Sequence, residues 1–156
     1  MGCLVAAVLV TGWARAEAPP LPGECLRALD LPAGRTVLLS VLSPRMVYSM
    51  TEWPRMRLAA EAEGFVVVAW RSPVVPDAEW RSAVTRAAWT RDASEPVPEA
   101  CMAWLGRPNH FPYSRVFGGG GIHPWPIWGV LPDVAWVESL RCRRDALFSA
   151  GQGCKP

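Results

Sequence analysis

The spacing of the cysteine and histidine residues indicates most directly whether this sequence could support redox or metal chemistry. The chain contains five cysteines and two histidines. Those cysteines that follow residue 16 are Cys25, Cys101, Cys142 and Cys154. No two of them have the C-x-x-C spacing of dithiol redox sites, and two histidines are few for a zinc site. We therefore expect no metal and no cofactor, and an even number of cysteines favours two structural disulfides.

The sequence does not choose among the three ways of pairing these cysteines. One option joins Cys142 to Cys154, which would close a short loop and tie the C-terminal tail to the last predicted helix. Cys25 would then pair with Cys101. The alternative to structural bridges is a reactive thiol, for which Cys101 is the candidate because it precedes the loop at Pro112.

Residues 1–16 have the pattern of an export signal. An apolar run over residues 3–10 ends at Ala14, Arg15 and Ala16, an A-x-A cleavage pattern. The run is too short to cross a bilayer, and it departs from the usual pattern because no Lys or Arg precedes it. We expect a periplasmic or secreted protein whose mature chain starts at Glu17 and has no integral membrane span.

The remaining chain is predicted to fold as one domain. Hydrophobic residues make up 51% of the sequence and charged residues 19%, which is enough for a packed core. The net charge of +2 is too small to indicate nucleic acid as a partner. We divide the mature chain into an extended, Pro-rich lead-in over residues 17–34 with one or two helical turns, a domain over 35–150 and a tail over 151–156.

Uncharged, β-branched runs predict buried strands, and apolar residues at helical spacing predict helices. The predicted elements are strands over 36–42, 65–70, 113–117 and 127–131, and helices over 51–63, 78–89, 99–105 and 134–148. Thr51, Asp77 and Asp133 are the predicted N-caps. By itself this order predicts a small α/β fold with a central sheet flanked by helices.

The segment TVLLSVLSPRMVYSMTEWPRMRLAAEAEG, residues 36–64, resembles the first half of a thioredoxin-like domain. Such domains carry C-x-x-C at a helix start and a proline five residues after the second cysteine. With Pro54 in that place, the motif position is Met46-Val47-Tyr48-Ser49. Phe111-Pro112-Tyr113 is similar to the proline, commonly cis, that precedes the third strand of these domains.

Within that superfamily the chain resembles cysteine-less, exported thioredoxin-like proteins encoded on integrating conjugative elements. The resemblance implies a non-catalytic protein that binds an envelope or secretion-apparatus protein, as an accessory factor of such an element or of a conjugative transfer apparatus. A groove between the Met46 loop and the Pro112 loop would hold an extended peptide. The alternative is a thiol-disulfide oxidoreductase or isomerase that uses a cysteine outside a C-x-x-C motif.

A second candidate contact is the Pro-rigid loop HPWPIW, which contains Trp125 and Trp128. Amphipathic rings in a stiff loop suit a protein contact, or a lectin-like binding module. The alternative is that the loop folds over the sheet edge and buries both rings. For His110 and His123 we favour surface or capping roles over general-base or ligand roles, and for glycines 118–121 a hairpin over a phosphate cradle.

Overall fold

The computed structural model describes residues 23–29, 34–89, 95–118, 121–148 and 154. The predicted signal peptide lies outside these residues, as do most of the predicted lead-in and tail. Within the lead-in, residues 23–29 form a helix, where one or two helical turns were expected. Across the described ranges, no helix combines the length and the apolar character that a membrane span requires.

The described ranges contain five helices and five strands. They are α1 (Gly23–Leu29), β1 (Val37–Leu42), α2 (Val47–Ala62), β2 (Val66–Arg71), α3 (Asp77–Arg86), α4 (Glu99–Trp104), β3 (Tyr113–Gly118), β4 (Gly121–Ile122), β5 (Ile127–Trp128) and α5 (Asp133–Phe148). The predicted architecture of a small central sheet flanked by helices is confirmed.

The sheet has the strand order β2-β1-β3-β4, and β5 also pairs with β3. β1 runs parallel to β2, with Val37 opposite Val66, and antiparallel to β3, with Val41 opposite Tyr113. All six residues of β1 are buried, because the strand is central and covered on both faces. β4 and β5 lie along the same edge of β3 and form an interrupted edge strand.

Alternate residues of β1 supply two hydrophobic clusters, one on each face of the sheet. Leu38 and Leu42 pack in a cluster with residues of α2, α3 and α5. Val37, Leu39 and Val41 pack on the opposite face with residues of α1 and α4. Because successive side chains of a strand point to opposite faces of the sheet, this one uncharged run contributes to both clusters and forms the middle layer of a three-layer domain.

Three predicted N-caps, Thr51, Asp77 and Asp133, are helical residues in the structure. α2 begins at Val47, with Met46 as its N-cap, so Thr51 lies inside the helix and Pro54 is an interior proline. The extra first turn is held by Ser49, whose hydroxyl bonds back to the preceding loop. In α3 the N-cap is Pro76, and Asp77 is the first helical residue, where its carboxylate pairs with Arg71 instead of capping.

Candidate functional site

The degenerate motif position lies where β1 leaves the sheet and α2 begins. Ser49, in the place of the second cysteine, is buried, and its hydroxyl oxygen accepts a hydrogen bond from the Ser43 backbone N–H at 3.1 Å. The Ser49 N–H donates to the Met46 carbonyl at 2.9 Å. Ser49 therefore closes the turn between strand and helix, and its hydroxyl has no acidity comparable with that of a thiol.

The other motif residues form an apolar surface at the start of α2. Met46 is half-buried against the cluster on the α1 and α4 face. Val47 and Tyr48 are 64% and 58% exposed. A methionine thioether cannot attack a disulfide, so this helix start offers contact area but no group for thiol exchange.

The second half of the predicted groove is the segment that enters β3. The Phe111–Pro112 peptide bond is cis, and both residues are buried. Because Tyr113 pairs with Val41 near the end of β1, this segment lies at the sheet end from which the chain continues to Met46. The topology thus brings the two predicted halves, the Met46 loop and the Pro112 loop, to one end of the sheet.

The backbone on either side of this peptide bond has different hydrogen-bonding states. The Pro112 carbonyl accepts a hydrogen bond from the Gly129 N–H at 3.2 Å. The N–H and carbonyl of Phe111 have no partner within the described ranges. Phe111 therefore offers one backbone donor and one backbone acceptor to an extended segment laid against it.

The tryptophan loop runs along the free edge of β3. Trp128 pairs with Tyr113 through the backbone, and the two rings meet edge to face at 4.7 Å. Trp125 and Trp128 nevertheless remain 55% and 46% exposed. Pro124 and Pro126 flank Trp125 and remove backbone donors, which protects this edge from pairing with other strands. The loop does not bury the two rings.

The two histidines lie in different environments near this loop. His110 is exposed, and its ring centroid is 6.3 Å from that of Trp128. His123 is only 3% exposed, and its Nδ1 lies 3.3 Å from both the N–H and the carbonyl of Trp125. His123 therefore caps the loop from inside.

The pKa of His123 is lowered, chiefly by burial of the ring and further by the charges of Arg143 and Arg115. These two arginines hold the same loop by its carbonyls. Arg115 Nη2 donates to the His123 carbonyl at 3.2 Å, and Arg143 Nε donates to the Trp125 carbonyl at 3.4 Å. Burial also lowers the pKa of Arg143. The site favours a neutral His123 as a structural acceptor.

The four cysteines that the structure describes are paired. Cys25 bonds to Cys101 between α1 and α4, and Cys142 bonds to Cys154 between α5 and the tail. The expected kinship to a cysteine-less group is wrong, because the chain contains five cysteines, four of which form these two bridges. The expectation of a role in conjugative elements came from that resemblance alone and is withdrawn with it.

Sequence analysis missed a groove of about 490 Å³ between α2 and α3. Its lining residues are Pro44, Met50, Thr51, Pro54, Ala83, Arg86, Ala87 and Trp89. The sequence signal that could have indicated it is Pro54. The predicted N-cap at Thr51 puts this proline in the first helical turn, whereas it lies inside α2. No group of three or more His, Cys, Asp or Glu side chains suited to a metal ion occurs in the described chain.

No protein-family model matches the chain, and no curated protein matches it. Several solved structures are similar to the chain. A thiol:disulfide interchange protein of the thioredoxin family from Chlorobium tepidum is 14% identical with a TM-score of 0.54, over 70% of this chain and 80% of that one. An exposed lipoprotein thioredoxin from Streptococcus pneumoniae is 18% identical with a TM-score of 0.52, over 69% and 84%.

A third structure is the thioredoxin domain of a thiol-disulfide oxidoreductase from Bacteroides vulgatus. It is 14% identical with a TM-score of 0.50, over 69% of this chain and 78% of that one. At these identities the likeness concerns the fold. The chain therefore has a thioredoxin-like fold, as its sequence predicted.

Proposed function

We propose that this protein is a non-catalytic thioredoxin-like binding protein that takes up an extended segment of an envelope protein. The observation that carries the proposal is the composition of the sheet end described above. Val47 and Tyr48 expose apolar area at the helix start, and Phe111 has unpaired backbone groups, while Ser49 occupies the place of a thiol. An extended segment there gains strand-like hydrogen bonds and apolar contact without any exchange reaction.

The envelope part of the proposal rests on two features. Residues 1–16 have the pattern of a cleaved export signal. The two disulfides are of the kind that persists in oxidising compartments such as the periplasm or the extracellular space. The partner is then a protein of the same compartment, and nucleic acid is not proposed because the net charge is only +2.

The test is site-specific photo-crosslinking in cells that make the protein. Benzoylphenylalanine replaces Tyr48 in one variant and Leu58 in the control, which is on the same helix and 60% exposed. We expect a discrete cross-linked adduct in the envelope fraction from the Tyr48 variant and none from the Leu58 variant. Equal cross-linking at both positions, or none at Tyr48, contradicts the proposal.

A second candidate function is thiol-disulfide exchange by a cysteine pair outside a C-x-x-C motif. Cys101 is a poor nucleophile for this role, because it is completely buried and bonded to Cys25. Cys142 is an exposed residue, so the Cys142–Cys154 bridge is the one that an external thiol can reach. Native-state alkylation after mild reduction, together with an insulin-reduction assay, separates the two functions. Labelled Cys142 with turnover supports the enzyme, and reduction without turnover supports the binding protein.

A further inference from the structure

The residues that line the groove between α2 and α3 differ from Val47, Tyr48 and Phe111, which form the surface used in the proposed function. One wall is formed by Pro44 and by Met50 and Pro54 of α2, and the other by Ala83 of α3 with Ala87 and Trp89, which follow that helix. A bidentate ion pair, Arg45 Nε and Nη2 to the Glu79 carboxylate at 3.0 and 2.9 Å, ties the loop before α2 to the first turn of α3. This pair fixes the two walls relative to each other.

Within the described ranges, the groove contains a cation without a carboxylate partner. Arg86 is the only charged residue among the described residues that line the groove, and its Nη1 donates to the Ser82 hydroxyl at 2.5 Å. It forms no ion pair within the described ranges. A guanidinium beside apolar walls and open to solvent favours a carboxylate, which it can bind with two parallel hydrogen bonds.

The groove also contains a backbone acceptor that its helix cannot fully satisfy. In an α-helix the carbonyl of Met50 would receive the N–H of residue 54, but Pro54 has none. Met50 and Pro54 both line the groove. The walls thus combine an apolar surface, one cation and one carbonyl that lacks its helical donor.

We propose that this groove binds the carboxyl-terminal residue of a peptide whose last side chain is apolar. The three features of the groove match the three parts of such a residue. The terminal carboxylate pairs with Arg86, the apolar side chain lies against Trp89 and Pro44, and the last amide N–H donates to the Met50 carbonyl. A volume of about 490 Å³ is within the range of small-ligand sites and accommodates one or two residues.

The binding test uses N-acetyl-Ala-Ala-Leu with a free carboxylate and the same peptide as its carboxamide. Each is titrated into the full disulfide-bonded protein, and ¹H–¹⁵N shifts of Met50, Thr51, Ala87 and the Trp89 indole report binding. We expect a Kd of roughly 1 mM or tighter for the acid and at least about tenfold weaker binding of the amide. Equal binding of the two peptides, or no saturable shift at about 10 mM, overturns the proposal.

Two variants test the named contacts. Arg86→Gln should weaken binding of the acid by about tenfold, whereas Arg81→Gln, an exposed arginine of the same helix that does not line the groove, should leave it unchanged. Pro54→Ala restores an N–H for the Met50 carbonyl. This variant should weaken binding of the peptide acid more than binding of 4-methylpentanoate, which has a carboxylate but no N–H. An unchanged Kd in Arg86→Gln, or equal losses for both probes in Pro54→Ala, contradicts the assignment.

Discussion

At the scale of single residues, Ser49 decides what the start of α2 can do. Its side chain accepts a hydrogen bond from the Ser43 N–H, and both groups are buried. From the distance to Pro54, the sequence predicts that Met46 and Ser49 stand in the places of the two redox cysteines. It did not predict the hydrogen bond, because the partner lies in an irregular loop with no periodic pattern.

Replacing Ser49 by alanine tests this structural role. The variant leaves the buried Ser43 N–H without an acceptor, which costs about 1–3 kcal/mol of unfolding free energy. Urea denaturation under non-reducing conditions measures the change. Ser82→Ala on the exposed face of α3 is the control and should stay within about 0.5 kcal/mol of the wild type. A Ser49→Ala protein as stable as this control would show that the hydrogen bond does not stabilise the fold.

The equivalence of Met46 and Ser49 with the redox motif is tested by installing the thiols. In the double variant Met46→Cys and Ser49→Cys, the first new thiol is at the N-cap of α2, where the helix dipole favours a thiolate. We expect the new pair to form a bridge and to catalyse insulin reduction by dithiothreitol above the wild-type rate. Each single variant is a control without a dithiol. Two new thiols that stay reduced in air would show that the motif is misplaced.

At the scale of elements, sequence patterns predicted the buried strands better than the edges and helix starts. β1 is a run of uncharged, mostly branched residues, and its burial on both faces matches that pattern. β2 was predicted as a buried strand too, but it lies at the sheet edge, and its first four residues are only partly buried. β4 and β5 have two residues each, and their pairing to β3 comes from the tertiary position of the loop between them. The start of α2 was missed because Met46, its N-cap, has no capping side chain.

His123, in the loop between β4 and β5, should make the protein less stable in mild acid. Folding lowers the pKa of His123 below its ordinary value of about 6.5, so the unfolded chain binds more protons than the folded one in that range. Unfolding free energy therefore rises with pH there, and it falls as the pH drops from about 7.5 to about 5.

Urea unfolding of the wild type and of His123→Gln at both pH values measures this effect. The variant cannot take up the proton, so its stability should depend less on pH across the interval. Glu63 and Glu79, whose pKa values are lowered by Arg141 and Arg45, act in the same direction in more acidic solution and in both proteins. The same pH dependence in wild type and variant would exclude His123 as its source.

At the scale of the whole molecule, the two disulfides join parts that local patterns could not connect. α1 and α4 are far apart in sequence and meet only because both pack on the same face of the sheet. This explains why composition predicted two bridges while the pairing stayed open. Local periodicity and chain order were enough to predict a small α/β fold, and the thioredoxin-like assignment came from the resemblance of residues 36–64 and of Phe111-Pro112-Tyr113. Pairing the cysteines or matching α2 to α3 across the groove required the packed layers.

Deleting each bridge should destabilise the protein to different extents. Cys25–Cys101 spans a sequence separation of 76, and Cys142–Cys154 spans 12. Loop-closure entropy predicts losses of about 4.5 and about 3 kcal/mol respectively. Burial adds to the difference, because Cys25 and Cys101 are completely enclosed in the cluster on the α1 and α4 face, and alanines there leave a cavity.

The measurement compares two double variants, Cys25→Ala with Cys101→Ala and Cys142→Ala with Cys154→Ala, by non-reducing urea denaturation. We expect the first pair to lower the denaturation midpoint more than the second and the second to keep a cooperative transition. Because Cys154 joins a short C-terminal stretch to α5, losing that bridge frees the tail without separating the layers of the domain. A larger loss from the Cys142 pair would mean that the tail, and not the α1–α4 bridge, holds the fold together.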